Sequence, residues 1–117
     1  MIYHFENIEI DTDRFELRKD GEIQPVEPQV FSLLELLVTS NGNLVSKDDI
    51  NLQVWGGRIV SEAAVASRIR SARHAIGDDG TAQRLIRTVH GKGLVDGVVA
   101  EVKWAVSGVP FYRIRKL

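Results

Sequence analysis

The stretch VSEAAVASRIRSARHAIGDD, residues 60–79, decides how this chain is read. Its apolar residues Val65, Ile69, Ala72 and Ile76 recur at intervals of three and four. At about 100° per residue they fall into one narrow stripe, the mark of a helix with a single face against a core. Ser61 stands where a capping hydroxyl belongs, Glu62 suits the positive end of the helix dipole, and Gly77 is a stop signal. The spacing therefore predicts a helix over 61–76. Ser67, Arg70, Ser71 and His74 project away from the stripe, while Arg68 and Arg73 flank it. Alanines at 63, 64 and 66 keep the outer surface slim. Basic side chains on such a helix have two readings, a solvated face or a surface shaped for phosphate.

Charge distribution along the chain bears on that choice. The 117 residues carry a net charge of −1, but not evenly. Residues 1–57 hold 4 Lys/Arg against 11 Asp/Glu, net −7; residues 58–92 hold 7 against 3, net +4; residues 93–117 hold 4 against 2, net +2. A uniformly basic nucleic-acid binder is excluded, yet a local basic patch is enough to steer toward phosphate. The absence of cysteine removes disulfides, thiolate metal sites and thiol nucleophiles. The longest apolar run, about residues 30–38, is interrupted by Ser32 and Glu35 and is far too short to span a bilayer. The N-terminus MIYHFENIEID lacks the basic and apolar regions of a secretion signal, so the expectation is a cytoplasmic protein with no membrane partner.

Upstream of the helix, YHFENIEID, RFELRKD and EIQPVE alternate apolar and polar positions around Asp20-Gly21, a strong hairpin signal. They predict a small antiparallel sheet over residues 2–26, with Pro25 at an edge or strand end. Pro28 suits the first turn of a helix, PQVFSLLELLVTSNG, which buries Phe31, Leu34, Leu37 and Val38 and ends near Asn41-Gly42. NLV is a candidate short strand. Ser46 and Asp49 form a capping pair for a second helix, about 47–55, stopped by Gly56-Gly57. Downstream, a strand over 84–89, a tip at His90 to Gly93 and a return strand from Leu94 make a hairpin. The tail VKWAVSGVPFYRIRKL reads as further strand around a turn at Ser107 to Pro110.

Three short helices followed by a basic hairpin (Arg84, Arg87, His90, Lys92) is the α+β layout of a winged helix-turn-helix. In that layout one helix lies in the major groove and the hairpin wing meets the backbone. On this pattern the chain resembles the OmpR/PhoB-type winged-helix DNA-binding domain of bacterial response regulators, also found in CadC- and ToxR-like regulators. The resemblance is carried by FELRKDGEIQPVEPQVFSLLELLVTSNGNLVSKDDINLQVWGG, SEAAVASRIRSARHAIGDDG and RLIRTVHGKG, and covers residues 3–93. It implies an N-terminal sheet, three helices and a wing, with Trp55 buried at the end of the second helix. It implies double-stranded DNA as partner and a transcription regulator as function. The residues expected to meet DNA are Arg58, Ser67, Arg68, Arg70, Ser71, Arg73, His74, Arg87, Thr88, His90 and Lys92. Two departures stand out: Ser71 occupies a position where several members have arginine, and the usual Gly-Tyr-Arg-Phe of the wing is Gly93-Leu94-Val95-Asp96.

Rival chemistries find little support. His4, His74 and His90 lack metal-ligand spacing, Ser46 with Asp48 and Asp49 reads as a helix cap, and Gly91-Lys92-Gly93 lacks the strand–loop–helix context of a phosphate loop. The expectation is therefore no enzyme, no metal and no cofactor. The alternative is a winged helix used for protein contact: a homodimer, or docking to RNA polymerase or a partner regulator. The apolar tail (Trp104, Val106, Val109, Phe111, Tyr112) favours it. Residues 1–99 are read as the winged-helix domain and 100–117 as a β extension, packed on that domain or used for pairing. The 117 residues leave no room for a receiver domain, so a signal is expected through another chain, concentration or oligomerisation.

Overall fold

The structure, a computed structural model, describes residues 1–40, 42–89, 93–96, 98–104 and 110–116, with side chains through residue 88. Four short strands open the chain: β1 (Ile2–Phe5), β2 (Ile8–Asp11), β3 (Glu16–Lys19) and β4 (Glu22–Gln24). Each pairs antiparallel with the next, and the register sets Tyr3 opposite Ile10, Phe5 opposite Ile8 and Ile10 opposite Leu17. All five side chains are buried, because residues alternating along paired strands share one face of the sheet. Asp20 and Gly21 close the β3–β4 hairpin, both with positive φ (54° and 80°), as a two-residue primed turn requires. β4 ends at Gln24, just before Pro25.

The sheet's buried side chains share one core with α1 (Pro28–Thr39), which buries Val30, Phe31, Leu33, Leu34, Leu37 and Val38. That wide apolar face serves two sides at once, since α1 also contacts α2 (Lys47–Trp55) and α3 (Glu62–Ala75). The helix stops at Thr39 with Ser40 as its cap, two residues earlier than expected; Asn41 lies outside the described residues. The Ser40 hydroxyl and backbone N–H both donate to the Leu37 carbonyl, tightening the last turn there. Ser46 caps α2 by accepting from the Asp49 N–H at 3.0 Å, and Gly56, at φ 64°, ends it beside a buried Trp55.

A second, three-stranded sheet runs β5–β7–β6, from β5 (Leu44–Ser46), β7 (Gly93–Asp96) and β6 (Ile86–Val89). The β6–β7 hairpin is the wing. β7 is pinned to β5 at Gly93, opposite Ser46, where a Cβ would run into the Val45 carbonyl. Only glycine admits that approach. β6 begins at Ile86 rather than 84, because the N–H groups of Arg84 and Leu85 donate to the Asp78 carboxylate. Two further strands, β8 (Val98–Trp104) and β9 (Pro110–Lys116), pair antiparallel with each other. β9 also runs parallel to β1, with Tyr3 beside Tyr112 and His4 beside Arg113, so the first sheet becomes β4–β3–β2–β1–β9–β8. The expected turn at Ser107 to Pro110 and the expected wing tip at His90 to Gly93 fall largely outside the described residues.

Candidate nucleic-acid interface

α3 is set up by its own ends. The Ser61 hydroxyl accepts from the Ala64 N–H at 3.1 Å, Glu62 sits in the first turn, and Arg73 and His74 occupy the last, where cations oppose the dipole. Gly77, at φ 79°, takes the chain out of the helix. The stripe read from sequence faces the core, but unevenly: Ala72 and Ile76 are buried, whereas Val65 and Ile69 are half-buried. The N-terminal half of α3 thus stands proud of the domain. α3 is reached through Gly56-Gly57-Arg58, and Arg58 is itself exposed. Its backbone N–H and its Nε both donate to the Trp55 carbonyl, while Asn51 Nδ2 donates to the Arg58 carbonyl at 2.8 Å. The loop is therefore held by hydrogen bonds rather than by apolar contact.

The basic residues of α3 fall into three situations. Arg70 and His74 are exposed, and their side chains make no hydrogen bond or ion pair among the described residues. With Ser71 they line one wall of a cleft of about 610 Å³, whose other wall is Lys19, Gln24, Pro25, Val26 and Glu27 at the end of the β3–β4 hairpin. Arg68 is half-buried and turned toward the start of α1: its Nε donates to Gln29 Oε1 at 2.9 Å and its Nη2 lies 3.4 Å from Glu27 Oε2. Ser67 is half-buried beside it.

Arg73, expected to meet DNA, is instead buried, with only 8% of it exposed. Its Nε donates to the Ile86 carbonyl at 3.2 Å and its Nη2 to Thr88 Oγ1 at 2.8 Å, tying α3 to the wing strand β6. Burial lowers the guanidinium pKa, and Asp78 and Asp79 oppose that shift. A guanidinium stays charged through this range.

Asp78, just past the helix, completes the junction. It is 7% exposed and accepts from the backbone N–H of Arg84 at 2.7 Å and of Leu85 and Ile86 at 2.9 Å. Burial alone would raise its pKa. The N–H groups of Ile86, Arg84, Leu85 and Asp79 outweigh burial and hold the carboxyl below its usual range. These bonds keep residues 84 and 85 out of β6. Arg84 pairs instead with Glu6, across to the first sheet, and donates to the Gly77 carbonyl at 3.2 Å.

On the wing, Arg87 and Thr88 are exposed. The Thr88 N–H donates to Gln83 Oε1 at 2.8 Å. His90 and Lys92 lie outside the described residues. Exposed Arg70, Ser71 and His74 on α3 and exposed Arg87 and Thr88 on β6 are joined through buried Arg73. Sequence reasoning missed Asp78 as the clamp and Lys19 as a neighbour of α3. Asp78 had a local signal, an Asp directly after a glycine stop; Lys19 had none, because its proximity is tertiary. Among the described residues no His, Asp and Glu cluster could hold a metal ion, and no helix is long and apolar enough to cross a membrane.

The fold has counterparts among known proteins. The family model described as "Transcriptional regulatory protein, C terminal" matches residues 21–95. A probable transcriptional regulator, ycf27 of Cyanidium caldarium, is 31% identical over 93 residues, covering 74% of this chain and 37% of its own length. The chain thus spans little more than a third of that relative. Among solved structures, the Thermotoga maritima response regulator DrrB, an OmpR/PhoB homologue, aligns with TM-score 0.72 and 27% identity over 81% of this chain and 43% of its own. The Klebsiella pneumoniae RstA DNA-binding domain, solved in complex with the RstA box, aligns with TM-score 0.69 and 22% identity over 81% of this chain and 95% of its own.

Proposed function

Because the chain belongs to the OmpR/PhoB-type family of winged-helix DNA-binding domains of transcriptional regulators, we propose that it reads double-stranded DNA with α3 in the major groove and the wing on the flanking backbone. As a member of that family it is a regulator domain and not an enzyme. One observation carries the reading: the α3 face bearing Arg70, Ser71 and His74 is exposed and committed to no partner among the described residues, on a helix otherwise anchored through Ala72, Arg73 and Ile76. A free guanidinium on a rigid, slim helix can reach base edges or phosphate without rearranging the fold.

The cations Arg58, Arg70 and Arg87 supply affinity by releasing counterions from the phosphates they neutralise. Arg68 adds charge from the flank of α3, and Ser67, Ser71 and Thr88 add neutral hydrogen bonds. His90 and Lys92 join the wing contacts by their place in the family pattern. Arg73 acts from within the fold. Titrating a labelled random-sequence duplex with the protein at two salt concentrations tests the proposal. Binding that weakens steeply with salt is expected; no binding at low salt would refute it.

A second reading, docking to another protein, is favoured by Ile59, fully exposed between α2 and α3, and by the half-exposed Leu52 on α2. RNA polymerase or a partner regulator are the candidates, and the two surfaces can work together. Pairing of two copies through the tail is the third element of the proposal, because two linked sites bind more tightly through effective concentration.

A further inference from the structure

We infer that Arg73 is a positioning residue for DNA binding, acting through Thr88: it holds the Thr88 hydroxyl so that its proton faces outward as a donor to a backbone phosphate. The inference rests on the DNA-binding proposal and adds to it a division of labour between neighbouring arginines. Arg73 and Thr88 lie 15 residues apart, on different elements, with Nη2 and Oγ1 separated by 2.8 Å. A guanidinium has only donors to offer, whereas a threonine hydroxyl has one donor and two acceptor positions. In this contact the hydroxyl oxygen must therefore accept. Its proton is excluded from the side facing Arg73 and is left for an acceptor elsewhere.

The surroundings narrow where that acceptor lies. Thr88 is exposed, its own N–H is taken by Gln83 Oε1, and no acceptor for its hydroxyl occurs among the described residues. On an exposed wing strand beside Arg87, which is unpaired among the described residues, an incoming phosphate oxygen is the acceptor of matching charge. Arg73 also polarises the hydroxyl it donates to, which strengthens the outward bond. Its Nε is held by the Ile86 carbonyl, so the planar fork has a fixed direction and Thr88 cannot turn its oxygen away without losing the bond. The buried arginine thus delivers a neutral contact, while Arg70 delivers a charged one.

The test is a set of duplex titrations at several salt concentrations with the parent, Arg70→Ala, Thr88→Val, Thr88→Ser, Arg73→Lys and the Arg73→Lys/Thr88→Val pair. Thr88→Val should bind about tenfold more weakly, the loss of one charge-assisted hydrogen bond. Its dependence of log K on log salt should match the parent's, because a hydroxyl releases no counterion. Thr88→Ser should bind like the parent. Arg73→Lys keeps the charge but cannot span both acceptors, so it should lose about as much as Thr88→Val, and the double variant no more than either. Losses that multiply in the double variant would show that Arg73 works independently of Thr88 and would overturn the inference. Parent-like binding by Thr88→Val would overturn it too. If Arg70→Ala also binds like the parent, the DNA proposal itself fails. Should Arg73→Lys not fold, the Arg73 Nη signals in NMR spectra decide the contact. They should shift in Thr88→Val and stay in place in Thr88→Ser, and unchanged signals in Thr88→Val would refute it.

Discussion

Arg70 and Arg73, three residues apart on α3, have opposite fates, and helical angle alone does not separate them. Angle puts Arg73 at the margin of the apolar stripe, where a long side chain can turn outward or inward. The decision comes from β6, whose Ile86 carbonyl and Thr88 hydroxyl lie within reach. Arg70→Ala should therefore leave thermal stability within about 0.5 kcal/mol of the parent, as for an exposed surface change. Arg73→Ala should cost about 1–3 kcal/mol, the penalty for leaving buried partners unsatisfied. A chemical melt of the two variants reads the difference directly. Equal stabilities would mean that the Arg73 contacts contribute nothing.

Asp78 makes a pH-dependent prediction at the same scale. Its folded pKa lies below the usual carboxylate range, so its ionised form stabilises the fold above that range. The stabilisation is lost as pH falls below the usual carboxylate range toward the lower folded value. Asp78→Asn, whose amide offers a single acceptor oxygen to three N–H donors, should be about 2–3 kcal/mol less stable at neutral pH. The gap to the parent should close on acidification below about pH 4. Urea melts of both proteins across that range check it, and a gap that persists unchanged would contradict the clamp.

At the scale of elements, the sequence was legible wherever a local rule sufficed. Asp20-Gly21 announced its hairpin, Ser46 and Ser61 announced their helices, and the apolar spacing of α1 announced its buried face. Two element ends were not legible. α1 stops at Thr39 because Ser40 folds its hydroxyl back on Leu37, and β6 starts at Ile86 because Asp78 takes the amides of Arg84 and Leu85. The α3 stripe is likewise graded by its neighbours. Ile76, at the packed end, should cost about 2–4 kcal/mol on truncation to alanine, and half-buried Ile69 about 1–2 kcal/mol. Thermal melts in which Ile69→Ala proves the costlier of the two would show that the packed end of α3 has been misassigned.

For the whole molecule, the two sheets divide the work. The first sheet and α1 share the core, α1 in turn contacts α2, α3 and β7, and the 58–92 segment carries the basic residues of α3 and β6. That charge polarity was readable from sequence. The parallel pairing of β9 with β1 was not, because it joins the two ends of the chain and no local pattern announces a partner about 110 residues away. Truncation after Ala100 removes the strand beside β1 and leaves its N–H and C=O groups unpaired. The shortened chain is expected to melt earlier. If it melts like the parent but loses self-association in ultracentrifugation, the tail serves pairing between copies rather than the stability of one.

On the reading proposed above, the exposed face of α3 binds DNA directly, while buried Arg73 holds the wing in place behind it. The salt dependence of duplex binding by Arg70→Ala, set beside that of the parent, tests it most directly. Weaker binding is expected, with a slope of log K against log salt flatter by about one unit, the signature of one lost phosphate contact. An Arg70→Ala protein with the parent's affinity and the parent's slope would contradict it.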